Sequence, residues 1–511
     1  MFRKLIDNLI RFLTSRIFLV AAILLTQLIM IMAFILHIGI FPYVRYAIYI
    51  LNIYLVVKVV NRYSNTSYKL AWVIIILGLP LTGGIIYLMF AERKVPKQLR
   101  AKILEEVGEA KLLFKHQDIH FKDKHVEKIF NYVSRVSDYP YYQNTKIKHF
   151  KAGELFFEDL IERLDEAQEF VFIEMFIIKN GYMLNTLMDK LKECRSRGVK
   201  VYVLYDDGGN ITCLPEHFEE SLKSIGIEVC AFSPVSVRLS LLSRANNRSH
   251  RKIIVIDNKY AYTGGFNLAD EYINKIVRFG YWKDTGILMH GEAVWNYTVT
   301  FIQFFNASTV KEKQLNYLDF KLEHDFDKHD SIILPFSDSP TDDEDIGRSV
   351  HLSMIHSAKR YVYIQTPYLV IGYNFLTALT VAAKSGVEVI LTVPHIPDKK
   401  SVFMVTRSNY ETLLKAGVKI YEYTPGFVHS KMIVADDILA INGTINMDFR
   451  SYYLNYECGT LIYNDQEIIK MREDYLETIT KSEEITLEKV KNVNPIVVIA
   501  RAILNVFAPL L

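Results

Sequence analysis

The stretch HRKIIVIDNKYAYTGGFN, His250–Asn267, has a second version in HSKMIVADDILAINGTIN, His429–Asn446. Both open as His-x-Lys-x4-Asp, giving His250, Lys252 and Asp257 in one copy and His429, Lys431 and Asp436 in the other. Both continue through an apolar run to a glycine turn and an asparagine, GGFN ending at Asn267 and GTIN ending at Asn446. The copies lie about 180 residues apart, one domain length. Matched order in two places points to one active site assembled from two half-sites.

Around the cassettes, short apolar strands alternate with helices. In the first half FFEDLIERLDEA is an amphipathic helix, EFVFIEMFII a buried strand, LNTLMDKLKECRSRG a helix and VKVYVLYDD a strand. The second half repeats this with RSVHLSMIHSAKR, YVYIQTPYLV, FLTALTVAAKSG and VEVILTVPH. The alternation predicts an α/β sandwich in each half, the two related by a pseudo-two-fold axis with strand ends facing a central cleft. The polar run SDSPTDDED, Ser337–Asp345, marks a loop near the join.

Side chains alternate along a strand, so His250 and Lys252 share a face, as do His429 and Lys431. Asp257 and Asp436 have the opposite parity and read as support for the strand ends. Phosphodiester exchange needs a nucleophile, an acid for the leaving alkoxide and positive charge on the non-bridging oxygens. Two imidazoles can divide the first two tasks, and on the residues alone either can take either. Lys252, Lys431, Asn267 and Asn446 can hold the phosphoryl oxygens, so the expected cofactor and metal requirement is none. An attacking imidazole also needs its other nitrogen held by a carboxylate. Tyr368 in TPYLV follows a buried strand and is expected to line the cleft.

At 511 residues with a formal charge of +3, the chain has room for two or three domains and no excess of charge that demands nucleic acid. Cys194, Cys213, Cys230 and Cys458 form no C-x-x-C pair and read as free thiols rather than zinc ligands. The first ninety residues differ in composition. Phe18–Ile40 is long enough to span about 30 Å of hydrocarbon, Tyr46–Val60 is shorter, and Leu70–Phe90 is interrupted by Gly78, Pro80, Gly83 and Gly84. Three blocks without an A-x-A site do not make a cleaved signal peptide. Arg3, Lys4, Arg11 and Arg16 argue for a cytoplasmic N-terminus, while Arg93, Lys94, Lys97, Arg100 and Lys102 argue for the same side after the third block. Three full spans cannot satisfy both, so a re-entrant segment is one expectation and a basic stretch tolerated outside is the other. The expected organisation is a membrane region at 1–100, a charged connector at 101–145, catalytic halves at 146–325 and 326–485, and an apolar tail at 486–511. The tail, bounded by Pro495 and Pro509, is expected to lie in a membrane interface, beside the cleft or in a core.

The paired cassette is the signature of the phospholipase D superfamily, and the chain resembles that superfamily and, within it, the bacterial cardiolipin synthases. The likeness extends to NNRSHRK before Lys252, GGFNLADEY, GYWKDT, IQTPYLV, GFVHSK, GTINMDFRS, LNYE and the N-terminal KLAWVIIILGLPLTGGIIYLMF. It implies two α/β sandwich domains preceded by transmembrane helices in a multi-pass protein of the bacterial cytoplasmic membrane. The activity implied is phosphatidyl transfer between two phosphatidylglycerol molecules through a phosphohistidine, giving cardiolipin and glycerol. By this resemblance His250 is the nucleophile, His429 the acid and base, and Asp284 and Glu457 orient the rings. Asp257 and Asp436 enter the catalytic set because they belong to the motif. Partners are then phospholipid and bilayer, with no nucleic acid. Hydrolysis to phosphatidate by a membrane phospholipase D is the alternative, and a nuclease or other phosphodiesterase stands behind it. The chain departs from the family pattern in lacking the P-[DE] pair after TPY, in Gly286 where a histidine is common, and in an extra apolar segment at the N-terminus.

Overall fold

A computed structural model of the chain describes residue 25 and residues 42–510, apart from 63–64, 81, 92–94, 235–245 and 343. The chain divides into two compact units, one ending at Lys94 and the other running Val95–Pro234 and Asn246–Pro509.

In the first unit, helix Pro42–Asn61 is followed by helices Thr66–Gly78 and Gly83–Phe90. The block Leu70–Phe90 is broken where the sequence interrupts it, between Gly78 and Gly83. Pro80 brings no N–H to a helix, and Gly83 admits a backbone approach that no side chain would tolerate, because a Cβ there would lie 2.2 Å from Ile75 O. Tyr68, Trp72 and Tyr87 meet edge to face in a small core with Leu55, Val59 and Ile76. Among the described residues no helix is long and apolar enough to cross a membrane. The expectation of transmembrane helices at Tyr46–Val60 and Leu70–Phe90 is corrected accordingly; the Phe18–Ile40 block lies outside the described residues.

The second unit contains two sheets of like design. In the first, strands β1 (Thr145–Phe150), β2 (Phe170–Met175), β3 (Lys200–Asp206), β4 (Glu228–Phe232), β5 (Ile253–Ile256), β6 (Tyr260–Gly264) and β8 (Gly286–Gly291) run in the order β1-β8-β6-β5-β2-β3-β4, with β7 (Tyr281–Lys283) outside it. In the second, β9 (Ile332–Asp338), β10 (Tyr361–Gln365), β11 (Glu388–Pro394), β12 (Lys419–Tyr423), β14 (Met432–Ala435), β15 (Leu439–Gly443) and β16 (Glu457–Tyr463) run in the order β9-β16-β15-β14-β10-β11-β12, extended at the β12 edge by β17 (Ser482–Glu484). In each sheet three strands are parallel and the cassette strand joins them antiparallel: β5 beside β2, β14 beside β10.

The remaining strand, β13 (Gly426–Val428), leaves the second half and pairs in parallel with β7 of the first. Its counterpart is a parallel bridge from Ser249 to Tyr456. The backbone thus stitches the halves together twice, immediately before each histidine.

Outer helices cover each sheet. The helix after β8 lies inside, and the one after β16 turns one face inward. Val294–Ser308 is buried on every side through Ala307, its polar Asn296, Thr298, Thr300, Gln303 and Asn306 included. It and Glu467–Thr480 supply Phe301, Phe304, Met471 and Tyr475 to one core shared with strands of both sheets. The charged connector is also packed: helix Lys97–Lys111 lies on Val294–Ser308, with buried Glu106 accepting from Asn306 Nδ2 at 3.0 Å and from the Tyr317 hydroxyl.

Candidate active site

Each histidine sits in the extended residues just ahead of its strand, with Ile253 and Met432 opening β5 and β14 proper. Its backbone is fixed by the other half: His250 N–H donates to Tyr456 O at 2.8 Å and His429 N–H to Lys283 O at 2.7 Å. The residue after each acceptor in the first case, Glu457, and in the second, Asp284, is the carboxylate. His250 Nδ1 lies 2.9 Å from Glu457 Oε2, and His429 Nδ1 lies 2.7 Å from Asp284 Oδ2. Each imidazole is therefore oriented by an acid from the opposite half.

The carboxylates are themselves held. Glu457 accepts from Thr444 Oγ1 at 2.6 Å and from Asn455 Nδ2 at 3.1 Å. Asp284 accepts from Thr285 N–H at 2.9 Å and presses on Gly265, where a Cβ would lie 1.9 Å from its Oδ1. Thr444 stands where Gly265 stands in the first copy, so the second half uses a hydroxyl where the first uses space.

Burial pushes His250 down to about 4 and His429 down to about 3, with the neighbouring carboxylates opposing this. Glu457 and Asp284 are held below their ordinary values despite burial, by the histidine and lysine each faces. Near neutral pH this gives carboxylate beside neutral imidazole, with the ring proton on Nδ1 and a lone pair on Nε2.

His250 and His429, 8 % and 7 % exposed, line one cleft of about 280 Å³ with Asn267, Asn446 and Tyr368. Phe176, Trp282 and Phe427 give it apolar walls. Tyr368 donates its hydroxyl to Asp398 at 2.6 Å, so a carboxylate stands on this wall although TPYLV is followed by none in sequence. Lys252 and Lys431 do not line the cleft. They lie behind the histidines, each Nζ donating to its own histidine's carbonyl, and Lys431 Nζ also lies 2.9 Å from His429 Nδ1. Burial lowers Lys252 to about 8 and Lys431 to about 7.

Asp257 and Asp436 are elsewhere. Each occupies a left-handed turn, φ 53° and 57°, where aspartate is tolerated. Asp257 accepts the backbone N–H groups of Gln168, Glu169 and Phe170 at 2.7–2.9 Å; Asp436 accepts those of Lys359, Arg360 and Tyr361 at 2.7–2.9 Å. Their carboxylates anchor the start of β2 and of β10, away from the cleft lining.

Several supporting residues escaped the sequence reading. Glu174, a lone charge in an apolar strand, accepts from Ser249 Oγ at 2.6 Å and from Arg251, whose guanidinium lies 3.4 Å from the Phe304 ring centre. That isolated acid was the available signal. The apolar tail forms helix Pro495–Val506, which packs on Lys400–Ser408 and brings Ala508 to the cleft wall. His395, Glu422 and Glu483 come within metal-ligand reach of one another outside the cleft, but Glu422 already binds Arg407 at 2.7 Å. All four cysteines are free thiols.

The family described as cardiolipin synthase, PLD-like domain, matches residues 160–277 and 351–479, and a phospholipase D-nuclease N-terminal family matches 50–91. A cardiolipin synthase of Geobacillus kaustophilus is 35 % identical, covering 90 % of this chain and 92 % of its own. One of Staphylococcus aureus is 32 % identical over 86 % and 90 %. Phosphatidylserine synthase of Haemophilus influenzae superposes with a TM-score of 0.57 at 15 % identity, covering 76 % of this chain and 98 % of that one, a likeness of fold. The chain belongs to the cardiolipin synthase family of phospholipase D-like proteins.

Proposed function

We propose that this member of the cardiolipin synthase family moves a phosphatidyl group from one phosphatidylglycerol to the free glycerol hydroxyl of a second, giving cardiolipin and glycerol. The observation that carries the reading is the pair of buried imidazoles on one cleft, each with Nδ1 against a carboxylate. His250 Nε2 attacks phosphorus, a P–N bond forms, and the P–O bond to the leaving glycerol breaks. His429 passes a proton to that oxygen and then takes one from the incoming hydroxyl, whose oxygen displaces His250. Before the first step His429 must gain a proton. The anionic phosphodiester between the rings favours this, and Asp284 stabilises the imidazolium.

Lys252 and Lys431 supply positive charge from behind the histidines, without touching the phosphoryl group, and Asn267 and Asn446 hold its oxygens. Asp257 and Asp436 act as scaffold. In this reading residues 146–325 and 326–485 are the two catalytic halves. Both substrates reside in a bilayer, so the protein works at the cell membrane, anchored through residues 1–100. Exposed Ile50, Ile53, Leu77 and Leu88 on the described helices of that region favour apolar surroundings.

The test is product analysis. Purified enzyme in detergent, given labelled phosphatidylglycerol, is expected to yield cardiolipin and glycerol. Phosphatidate as the sole lipid product would make water the acceptor and overturn the transferase reading; no turnover would overturn catalysis.

A further inference from the structure

One wall of the cleft carries polar atoms that the chain leaves unmet. Asn446 Oδ1, Ser451 Oγ and Asn455 Oδ1 have no hydrogen-bond partner among the described residues. The three residues are 6 %, 1 % and 7 % exposed, and all line the cleft. Asn455 has a determined orientation, because its Nδ2 donates to the acceptor-only Glu457 carboxylate at 3.1 Å and Oδ1 must point the other way.

The pseudo-two-fold supplies an internal control. In the first half Asn267, the counterpart of Asn446, has its amide oxygen met: Oδ1 accepts from Ile177 N–H at 3.1 Å, while one Nδ2 hydrogen goes to the Tyr272 hydroxyl at 2.6 Å and the other stays available. Ser451 stands at the offset of Tyr272, and Asp448 at the offset of Ala269. Asp448 also lines the cleft, with one oxygen accepting from Ser451 N–H at 2.7 Å. Buried polar groups left unmet are costly, and a ligand that satisfies them repays the cost on binding.

The unmet atoms are two amide oxygens and one hydroxyl, so the ligand must bring several donors. Asp398 and Asp448 on this wall are balanced by Lys399 and Arg450, which favours an uncharged molecule over an ammonium or a carboxylate. We propose that this wall is the acceptor subsite, holding a neutral polyol head group through Asn446, Ser451 and Asn455, with Asp448 taking a further hydroxyl. The inference rests on the transferase reading above and adds where, and by which residues, the acceptor is chosen. Asn455 links the subsite to the ring of His250 through Glu457.

The full-length enzyme in detergent, with acyl-labelled phosphatidylglycerol, is given deuterated glycerol, 1-propanol and ethanolamine at equal concentration. The wild type is expected to transfer to glycerol at least about tenfold more than to 1-propanol, the discrimination a hydrogen-bonding site imposes on an analogue lacking the group. Ser451→Ala and Asp448→Asn are expected to bring that ratio towards one. Ser451→Ala is expected to keep or raise the melting temperature, because the hydroxyl it removes has no partner to lose. An unchanged ratio in both variants, a wild type that prefers ethanolamine or is indifferent, or failure of Ser451→Ala to fold would each overturn the subsite. Phosphatidate alone with every alcohol would instead overturn the transferase reading on which it rests.

Discussion

His250 takes its carboxylate from Glu457, 207 residues further on and in the other half of the molecule, at 2.9 Å. Asp284 stands in the same relation to His429 at 2.7 Å. The exchange makes the two half-sites mutually dependent and places the ring protons on Nδ1. Glu457→Gln keeps the shape but lets the amide donate, which moves the proton to Nε2 and blocks attack. Turnover is expected to fall by about 10³–10⁴-fold, as when a triad carboxylate becomes an amide. Asp284→Asn should cost a similar factor. A loss under tenfold in steady-state transfer, at equal folded enzyme, would refute the assignment.

In the proposed mechanism the two histidines divide one reaction. His250→Ala and His429→Ala are each expected to abolish transfer while the melting temperature stays close to that of the wild type. Phosphatidyl label should map to His250 by mass spectrometry after an alkaline quench. Label on His429 would exchange the two roles, and inversion at a chiral phosphorus would exclude a covalent intermediate.

Gly265 tests the geometry without touching a polar group. Its missing Cβ is the space that Asp284 occupies, 1.9 Å from Oδ1. Gly265→Ala should displace Asp284 from His429 and lower kcat by about 10²-fold, the cost of a misplacement near 1 Å. Gly208→Ala, set against Arg248 and outside the cleft lining, is a steric control for the local clash. Equal activity of Gly265→Ala and wild type would show that Asp284 does not need its present position.

Asp257 and Asp436 should matter to stability rather than to chemistry. Replacing either by Ala strands three backbone N–H groups, at about 1–3 kcal/mol each where water cannot reach them. The melting temperature is expected to drop by several degrees, with specific activity per folded molecule far less affected. A variant as stable as wild type yet inactive would return these residues to the catalytic set.

Both imidazoles are harder to protonate folded than unfolded, with values near 4 and 3 against an ordinary 6.5. Between about pH 4 and 6.5 the unfolded chain therefore binds more protons, so stability is fully present above pH 6.5 and is lost as pH falls. Thermal unfolding from pH 7.5 to 4.5 should follow this slope, and the His250→Gln, His429→Gln double variant should flatten it. Parallel curves for variant and wild type would mean that the rings are not held neutral.

Much of the second unit was legible because strand and helix periods alternate twice in the same order around a duplicated cassette. His250 and His429 could be read from that duplication alone. The exchange of Glu457 and Asp284 could not, since a carboxylate's distance along the chain says nothing about which half it docks against. Nothing in the sequence of Val294–Ser308 announces that its polar residues, Asn296, Thr298, Thr300, Gln303 and Asn306, are buried along with its apolar ones. The packed helix Lys97–Lys111 reads as a connector because its few apolar positions are hidden among charges. At the N-terminus both the hydrophobicity and the interruption at Gly78, Pro80, Gly83 and Gly84 are plain in sequence, and the helices break there. The unmet atoms of Asn446 and Asn455 depend on three-dimensional neighbours and leave no trace in sequence.

The crossed strands before each histidine also set a timetable. A chain emerging from the ribosome presents His250, Lys252 and Asn267 long before Glu457 has been made. Until then the first imidazole has no acid to hold its proton, and His429, the residue proposed to serve the leaving group, does not yet exist. A protein whose chemistry cuts the lipids around it is thus chemically silent through most of its own synthesis. It becomes an enzyme only when its second half closes on its first.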